Sequence, residues 1–134
     1  MSRWEEMQFE ERIRTILRET QYYLPDHHLA PPFLTAYQIA IEFALRFPDD
    51  FQRTGLQVGG RDIGEHNSLA QYIAVELSRR IRDNRITDIQ GGFLSNNHLH
   101  EISFDNNGQR LYSSLTESQY DLSMFRLIRS TPPA

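Results

Sequence analysis

The segment from Val58 to Ala74, VGGRDIGEHNSLAQYIA, places three glycines, an arginine and a histidine ahead of an apolar-periodic run. A helix N-terminus presents free backbone amides and a positive dipole end, so a glycine-rich loop before a helix can bind an anion. The spacing matches neither GxxxxGK followed by Ser or Thr nor GxGxxG, and Asp62 and Glu65 add negative charge. We therefore favour a tight glycine loop over the core, with Asn67 or Ser68 capping the following helix.

The alternative for this loop is a ligand or partner site at the mouth of the helix. In that hypothesis Arg61, His66, Asn67 and Gln71 face the bound molecule. A small hydrolase or transferase with its site at residues 59–68 would require Arg61, His66 and Asn67 to converge on one concave pocket. The chain lacks the nucleophile-elbow pattern G-x-S-x-G, so we predict no catalytic residue.

A second candidate is the arginine cluster SRRIRDNR, residues 78–85, which holds four arginines and one aspartate. On a helix, Arg79, Arg82 and Arg85 share a face, and near its C-terminus they complement the helix dipole. The functional alternative is contact with phosphates or with an acidic protein, because guanidinium groups suit bidentate recognition.

The histidines give a weaker indication of a functional site than the glycine-rich loop or the arginine cluster. His98 and His100 on a strand would point to one face and could begin a metal site, but Glu101 would face away. We therefore predict two exposed strand-edge histidines, and neither a metal nor a cofactor. The chain contains no cysteine, which excludes disulfides, thiolate zinc sites and cysteine nucleophiles.

Three helices are predicted to position these residues. The first spans about 2–23, with Ser2 and Glu5 as a capping box. It should be peripheral, with Trp4 and Met7 exposed and available for a homodimer. The second runs from about Thr35 to Phe47 and should be largely buried.

The third helix spans about 68–84 and has an apolar stripe with i, i+4 spacing at Leu69, Ile73, Leu77 and Ile81. Between the second and third helices, residues 49–55 favour a short helical turn. Residues 86–89 and 91–94 favour short extended pieces. Alternating apolar residues around Asn107-Gly108 predict a β-hairpin with a tight primed turn.

The end of the chain is ambiguous between helix and strand. Residues 116–129 contain a capping box from Thr116 to Gln119 and an apolar stripe, so we favour a helix at the start over a closing strand. Residues 130–134 are predicted to be a frayed tail.

These elements predict an α+β fold: three main helices followed by a small antiparallel β-hairpin or sheet, loosely resembling a winged helix. We expect a single domain over 1–134, with a peripheral helix at 1–24 and an α+β core at 33–129. The charged N-terminus and the absence of a long apolar run favour a cytoplasmic location without membrane contact. All fourteen basic residues are arginine, although the net charge is −4.

The order of elements suggests a non-enzymatic binding module, in its leading form a winged-helix-type nucleic-acid-binding or regulatory accessory protein. The third helix would read bases through His66, Asn67 and Gln71, while Arg79, Arg82 and Arg110 would contact phosphates. The alternative is a protein-interaction adaptor or inhibitor that uses the acidic first helix and the arginine cluster.

Overall fold

The structure is a computed structural model and describes residues 2–114 and 121–128. It contains five α-helices and a short 3₁₀ turn at Glu65–Asn67: α1 Arg3–Glu6, α2 Phe9–Arg18, α3 Ala36–Arg46, α4 Pro48–Thr54 and α5 Leu69–Arg82. Its strands are β1 Leu34–Thr35, β2 Ile89–Leu94, β3 Ser103–Asn106, β4 Gln109–Tyr112 and β5 Leu122–Leu127. The α+β class is confirmed, but five helices replace the three expected.

The N-terminal segment is two helices rather than one. Gln8 separates α1 from α2 in the left-handed backbone region, at φ 54°. This break folds α1 back, and Trp4 and Met7 become only 3% and 5% exposed, with Trp4 stacked on Phe9 at 5.3 Å. The prediction that Trp4 and Met7 are exposed is therefore wrong, because both side chains pack within their own chain.

Helix α3 confirms the predicted second helix and lies at the centre of the core. The Thr35 hydroxyl accepts a hydrogen bond from the Gln38 amide (3.2 Å), and the Gln38 side chain accepts one from the Thr35 amide (2.7 Å). This capping box starts the helix at Ala36. The Phe43 ring is fully buried and stacks on Phe9 of α2, with centroids 4.5 Å apart.

Helix α4 confirms the short helical turn predicted after α3. Pro48 occupies its first turn, where no backbone donor is needed, and Gly55 ends it at φ 70°. The connection from α3 to α5 therefore contains a helix of its own.

The main sheet is antiparallel, with the strand order β1-β5-β2. Its central strand β5 comes from the end of the described chain, where the sequence fitted either a helix or a closing strand. The closing strand is confirmed for residues 122–127, which pair with β2 along six residues. The helix favoured at the start of this segment falls on residues outside the described ranges. The predicted capping box from Thr116 to Gln119 and the predicted tail at 130–134 lie outside the described residues.

The predicted hairpin is confirmed as β3–β4, which forms a second sheet of its own. Asn107 and Gly108 connect the strands with φ of 53° and 92°, as a primed turn requires. The resemblance to a winged helix is not confirmed. None of the helices within residues 2–114 and 121–128 has the length and apolar character needed to cross a bilayer.

Candidate functional site

The glycine-rich loop is shaped by packing. Gly59 and Gly60 are buried, with φ of +131° and +118°. A Cβ on Gly59 would lie 2.4 Å from the Ser68 hydroxyl oxygen, and one on Gly60 would lie 3.0 Å from the Tyr112 carbonyl oxygen. These glycines therefore let the loop fit between the start of α5 and the hairpin.

The first turn of α5 has its backbone amides bonded within the chain. The amides of Leu69 and Ala70 donate to the carbonyls of residues 57 and 58 (2.7 and 2.9 Å). The amide of Gln71 donates to the Ser68 hydroxyl at 3.1 Å, so Ser68 is the cap, as one of the two sequence alternatives predicted. A phosphate cradle needs these donors free, and here they are used.

Two of the predicted site residues meet beside the hairpin, in a cleft of about 440 Å³. The Arg61 guanidinium lies 4.8 Å from the centre of the Tyr112 ring, and a hydrogen bond with the Tyr112 hydroxyl raises the pKa of Arg110. Glu101 approaches Arg61 to 3.6 Å, and Asp62 also lines the cleft. The two positive charges therefore have acidic neighbours.

Other predicted residues lie elsewhere. His66, Gln71 and Arg79 line a separate cleft of about 480 Å³, and Asn67 is exposed on the 3₁₀ turn. Arg61 and His66 thus lie in different clefts. The structure therefore does not place Arg61, His66 and Asn67 in one pocket, as an enzyme at this loop would require.

Within the arginine cluster, Glu76 binds the two arginines nearest the middle of α5. It pairs with Arg79 and lies 3.4 Å from Arg80. The Arg80 guanidinium also lies over the Trp4 ring, 4.5 Å from its centre. The contact of Arg80 with Trp4 joins α5 to α1, whereas both pairs with Glu76 lie within α5.

Asp83 binds the other two arginines of the cluster. Arg82 donates to it at 3.1 Å and Arg85 at 3.4 Å. The hydrogen bond from Arg82 is the largest cause that lowers the pKa of Asp83, with the positive charges of both arginines adding to it. Both guanidiniums remain exposed to solvent, but a carboxylate already holds them.

The predicted strand-edge histidines are not on a strand. His98 has a left-handed backbone, at φ 64°, and β3 begins only at Ser103, beyond His100. That placement is therefore wrong. The described part of the chain contains no group of three potential metal-ligating side chains.

A groove that the sequence did not reveal lies between α5 and the strands β2 and β5. We call it the α5–β2 groove; its volume is about 720 Å³, and its lining comes from Gln71, Ala74, Val75, Ser78, Ile81, Arg82, Gly91, Gly92, Phe93, Asp121, Ser123 and Phe125. Most of these side chains are small or apolar. Phe93 is 69% exposed and Val75 48% exposed, so large apolar surface faces the solvent here.

Gly91 lets Phe125 and Ile81 pack closely against β2 at the floor of the groove. Its missing Cβ would contact the Phe125 ring at 3.3 Å and lie 3.7 Å from the end of Ile81. Gly91 therefore lies on the face of the sheet that is turned toward α5. A larger residue at this position would fill the groove floor.

The outer edge of β2 borders the same groove. Strand β2 pairs with β5 along one side, and no described strand pairs with its other side. Such an edge presents a row of backbone N–H and C=O groups to a further strand. The run Gly91-Gly92-Phe93 was the sequence signal for this site, although by itself it indicated only a short extended piece.

Comparisons with protein-family models, with curated proteins and with solved structures found no match.

Proposed function

We propose that this protein is a non-enzymatic interaction module that adds an extended segment of a protein partner to the edge of β2 that no described strand pairs with. The observation that carries the proposal is that this edge and the apolar α5–β2 groove lie side by side. Backbone hydrogen bonds along an edge supply affinity, and a side-chain pocket beside it supplies specificity.

The groove suits an apolar side chain of the incoming segment. Gly91 and Ala74 leave room in it, while Val75 and Phe93 offer apolar contacts. Full burial of one large apolar side chain contributes about 1.5–3 kcal/mol to binding. Alternate residues of the segment would point into the groove, because side chains alternate along a strand.

The nucleic-acid-binding function suggested by the order of elements stays a prediction with weaker support. It depends on exposed arginines such as Arg79 and Arg82, and Glu76 and Asp83 already bind these two. If it is nevertheless correct, binding to duplex or single strands at low salt should weaken steeply with added salt and with Arg82→Ala.

Selection from a library of random displayed peptides tests the interaction proposal. We expect the selected peptides to share a large apolar residue and to bind in fluorescence polarisation with an affinity that Val75→Glu reduces at least about tenfold, roughly 1.4 kcal/mol. Glutamate preserves the helix at this position.

Leu45→Glu is the matched control. Leu45 lies on α3, outside the groove, and is 48% exposed, the same fraction as Val75. Peptide binding should survive this change. The proposal would be contradicted if the selected peptides shared no large apolar residue. It would also be contradicted if Val75→Glu changed the peptide affinity no more than Leu45→Glu does.

A further inference from the structure

We infer that the segment received at the edge of β2 is β2 of a second copy of this chain, paired antiparallel about a two-fold axis at Gly92. The inference rests on the proposed function, since it uses the same edge and the same groove. It adds the identity of the partner and the register of the pairing.

Two residues of β2, Gly91 and Phe93, are complementary in shape: one has no side chain and the other has an exposed ring. Gly91 and Phe93 point to the same face of the sheet, the face turned toward α5, because side chains alternate along β2. Gly91 brings no side chain to that face and lines the groove beside the Phe125 ring and Ile81, and Phe93 projects a ring that is 69% exposed.

An antiparallel pair centred on Gly92 places Gly91 of one copy directly opposite Phe93 of the other. Residues opposite each other in such a pair share a face and lie about 4.5–5.5 Å apart. Each Phe93 would therefore lie over the other copy's Gly91, at the floor of the α5–β2 groove. Two identical contacts form at once, as a two-fold interface requires.

Other registers lose this fit. Opposite residues must share a face, so the axis can move only to another residue of β2. Centred on Gly91, the pairing would set each Phe93 opposite Ile89, whose side chain is 1% exposed and already packed. Centred on Phe93, it would set the two rings side by side and leave Gly91 uncovered.

The charged residues that line the groove, Asp121 and Arg82, also favour antiparallel pairing. Asp121 lies at the end of the groove where Leu122 pairs with Leu94, and Arg82 lines the groove from the last turn of α5. Arg82 also pairs with Asp83, but its side chain is 72% exposed, so it can still approach a carboxylate of a second copy. Antiparallel pairing brings the Asp121 end of one groove beside the Arg82 end of the other. Parallel pairing would bring like charges together.

Disulfide trapping tests the register, and the chain's lack of cysteine makes the test clean. Gly92→Cys should form a covalent dimer on mild oxidation, because opposite Cα atoms in this pair fall within the range of about 4.4–6.8 Å that a disulfide spans. The new side chain has room, since the nearest atom to its Cβ is the Met124 methyl at 3.9 Å.

Leu94→Cys is the matched control, on the same face of β2 and two positions from the axis. It should form no covalent dimer under the same oxidant, whereas Gln90→Cys mixed with Leu94→Cys should cross-link, because these positions oppose each other. Equal cross-linking of Gly92→Cys and Leu94→Cys on their own would overturn the register and, with it, the inference.

Sedimentation velocity tests the dimer without cysteine. Between about 1 μM and 1 mM, the range of a weak small interface, wild type should shift from monomer to dimer. Phe93→Ser and Val75→Glu should stay monomeric over that range, and Leu45→Glu should dimerise like wild type. Unchanged thermal melts of the variants would show that they fold.

The outcomes separate this inference from the proposed function. A wild-type chain that is monomeric throughout this range, yet binds selected peptides in a Val75-dependent manner, would overturn the dimer and leave the interaction module intact. A chain that neither dimerises nor binds peptides at this edge would overturn both.

Discussion

Replacing Gly59 with alanine should destabilise the fold through one identified contact. The added Cβ would meet the Ser68 hydroxyl oxygen at 2.4 Å, with Ala70 and Tyr37 atoms both at 3.4 Å. Ser68 is buried and its hydroxyl caps α5, so the hydroxyl has to move and release the Gln71 amide. The backbone at φ +131° adds strain for any residue with a Cβ.

The size of the effect follows from these two contributions. Backbone strain of this kind costs about 1–3 kcal/mol, and loss of an N-cap costs about 1 kcal/mol. Gly59→Ala should therefore lower the free energy of unfolding by about 2–4 kcal/mol. Gly64→Ala is the control in the same loop, because Gly64 lacks a positive φ and its Cβ would contact only the Asn67 side chain at 3.8 Å.

Urea denaturation of four proteins measures the effect: wild type, Gly59→Ala, Ser68→Ala and the double variant. Ser68→Ala alone should cost about 1 kcal/mol, but much less when Gly59→Ala has already displaced the cap. Gly64→Ala should leave stability unchanged or raise it by up to about 1 kcal/mol, since it restricts the unfolded chain. Additive costs at residues 59 and 68, or equal costs at residues 59 and 64, would refute this reasoning.

Two further predictions concern the core and its edge. Phe9→Ala should lower the free energy of unfolding by about 3–5 kcal/mol, because Phe9 is fully buried against Phe43; a loss below about 1 kcal/mol in urea denaturation would contradict this. The paired hydrogen bonds from Arg14 lower the pKa of Asp88, so its stabilising contribution is complete above about pH 5 and is lost as the pH falls through the lowered pKa. The stability advantage of wild type over Asp88→Asn should therefore shrink in acid, and unfolding curves that keep the same difference from neutral pH to about pH 2 would exclude it.

The elements that local sequence determines were predictable. Helices α3 and α5 combine an apolar stripe with a capping hydroxyl, at Thr35 and Ser68. The hairpin follows from Asn107-Gly108, since few other pairs accept two positive φ angles in succession. In each case the deciding interaction joins residues that are close in the sequence.

The elements that depend on distant partners were not predictable. Gln8 favours helix on its own, but it takes a left-handed backbone at which the helix breaks, and the break accompanies the packing of Trp4 on Phe9. Residues 122–127 fit either a helix or a closing strand, and the partner that decides for the strand, β2, lies about thirty residues earlier, too far for a local pattern to indicate.

The candidate site was likewise only partly predictable from the sequence. The arginine cluster was visible in the sequence, but its pairing with Glu76 and Asp83 depends on side-chain geometry. The α5–β2 groove is assembled from a helix and two strands, so no single stretch of sequence describes it.

The β3–β4 hairpin has a consequence for how the fold comes apart. It shares no backbone ladder with the main sheet, and its described attachments include the stack of Tyr37 on Phe104, the hydrogen bonds between Tyr37 and Ser114, and the bond from the Arg61 amide to the Tyr112 carbonyl. Such a unit can open by local unfolding, at a lower free energy than global unfolding, while the aromatic core around α3 stays closed. Its amide hydrogens would then exchange with solvent earlier than those of α3, and each opening would uncover the glycine loop.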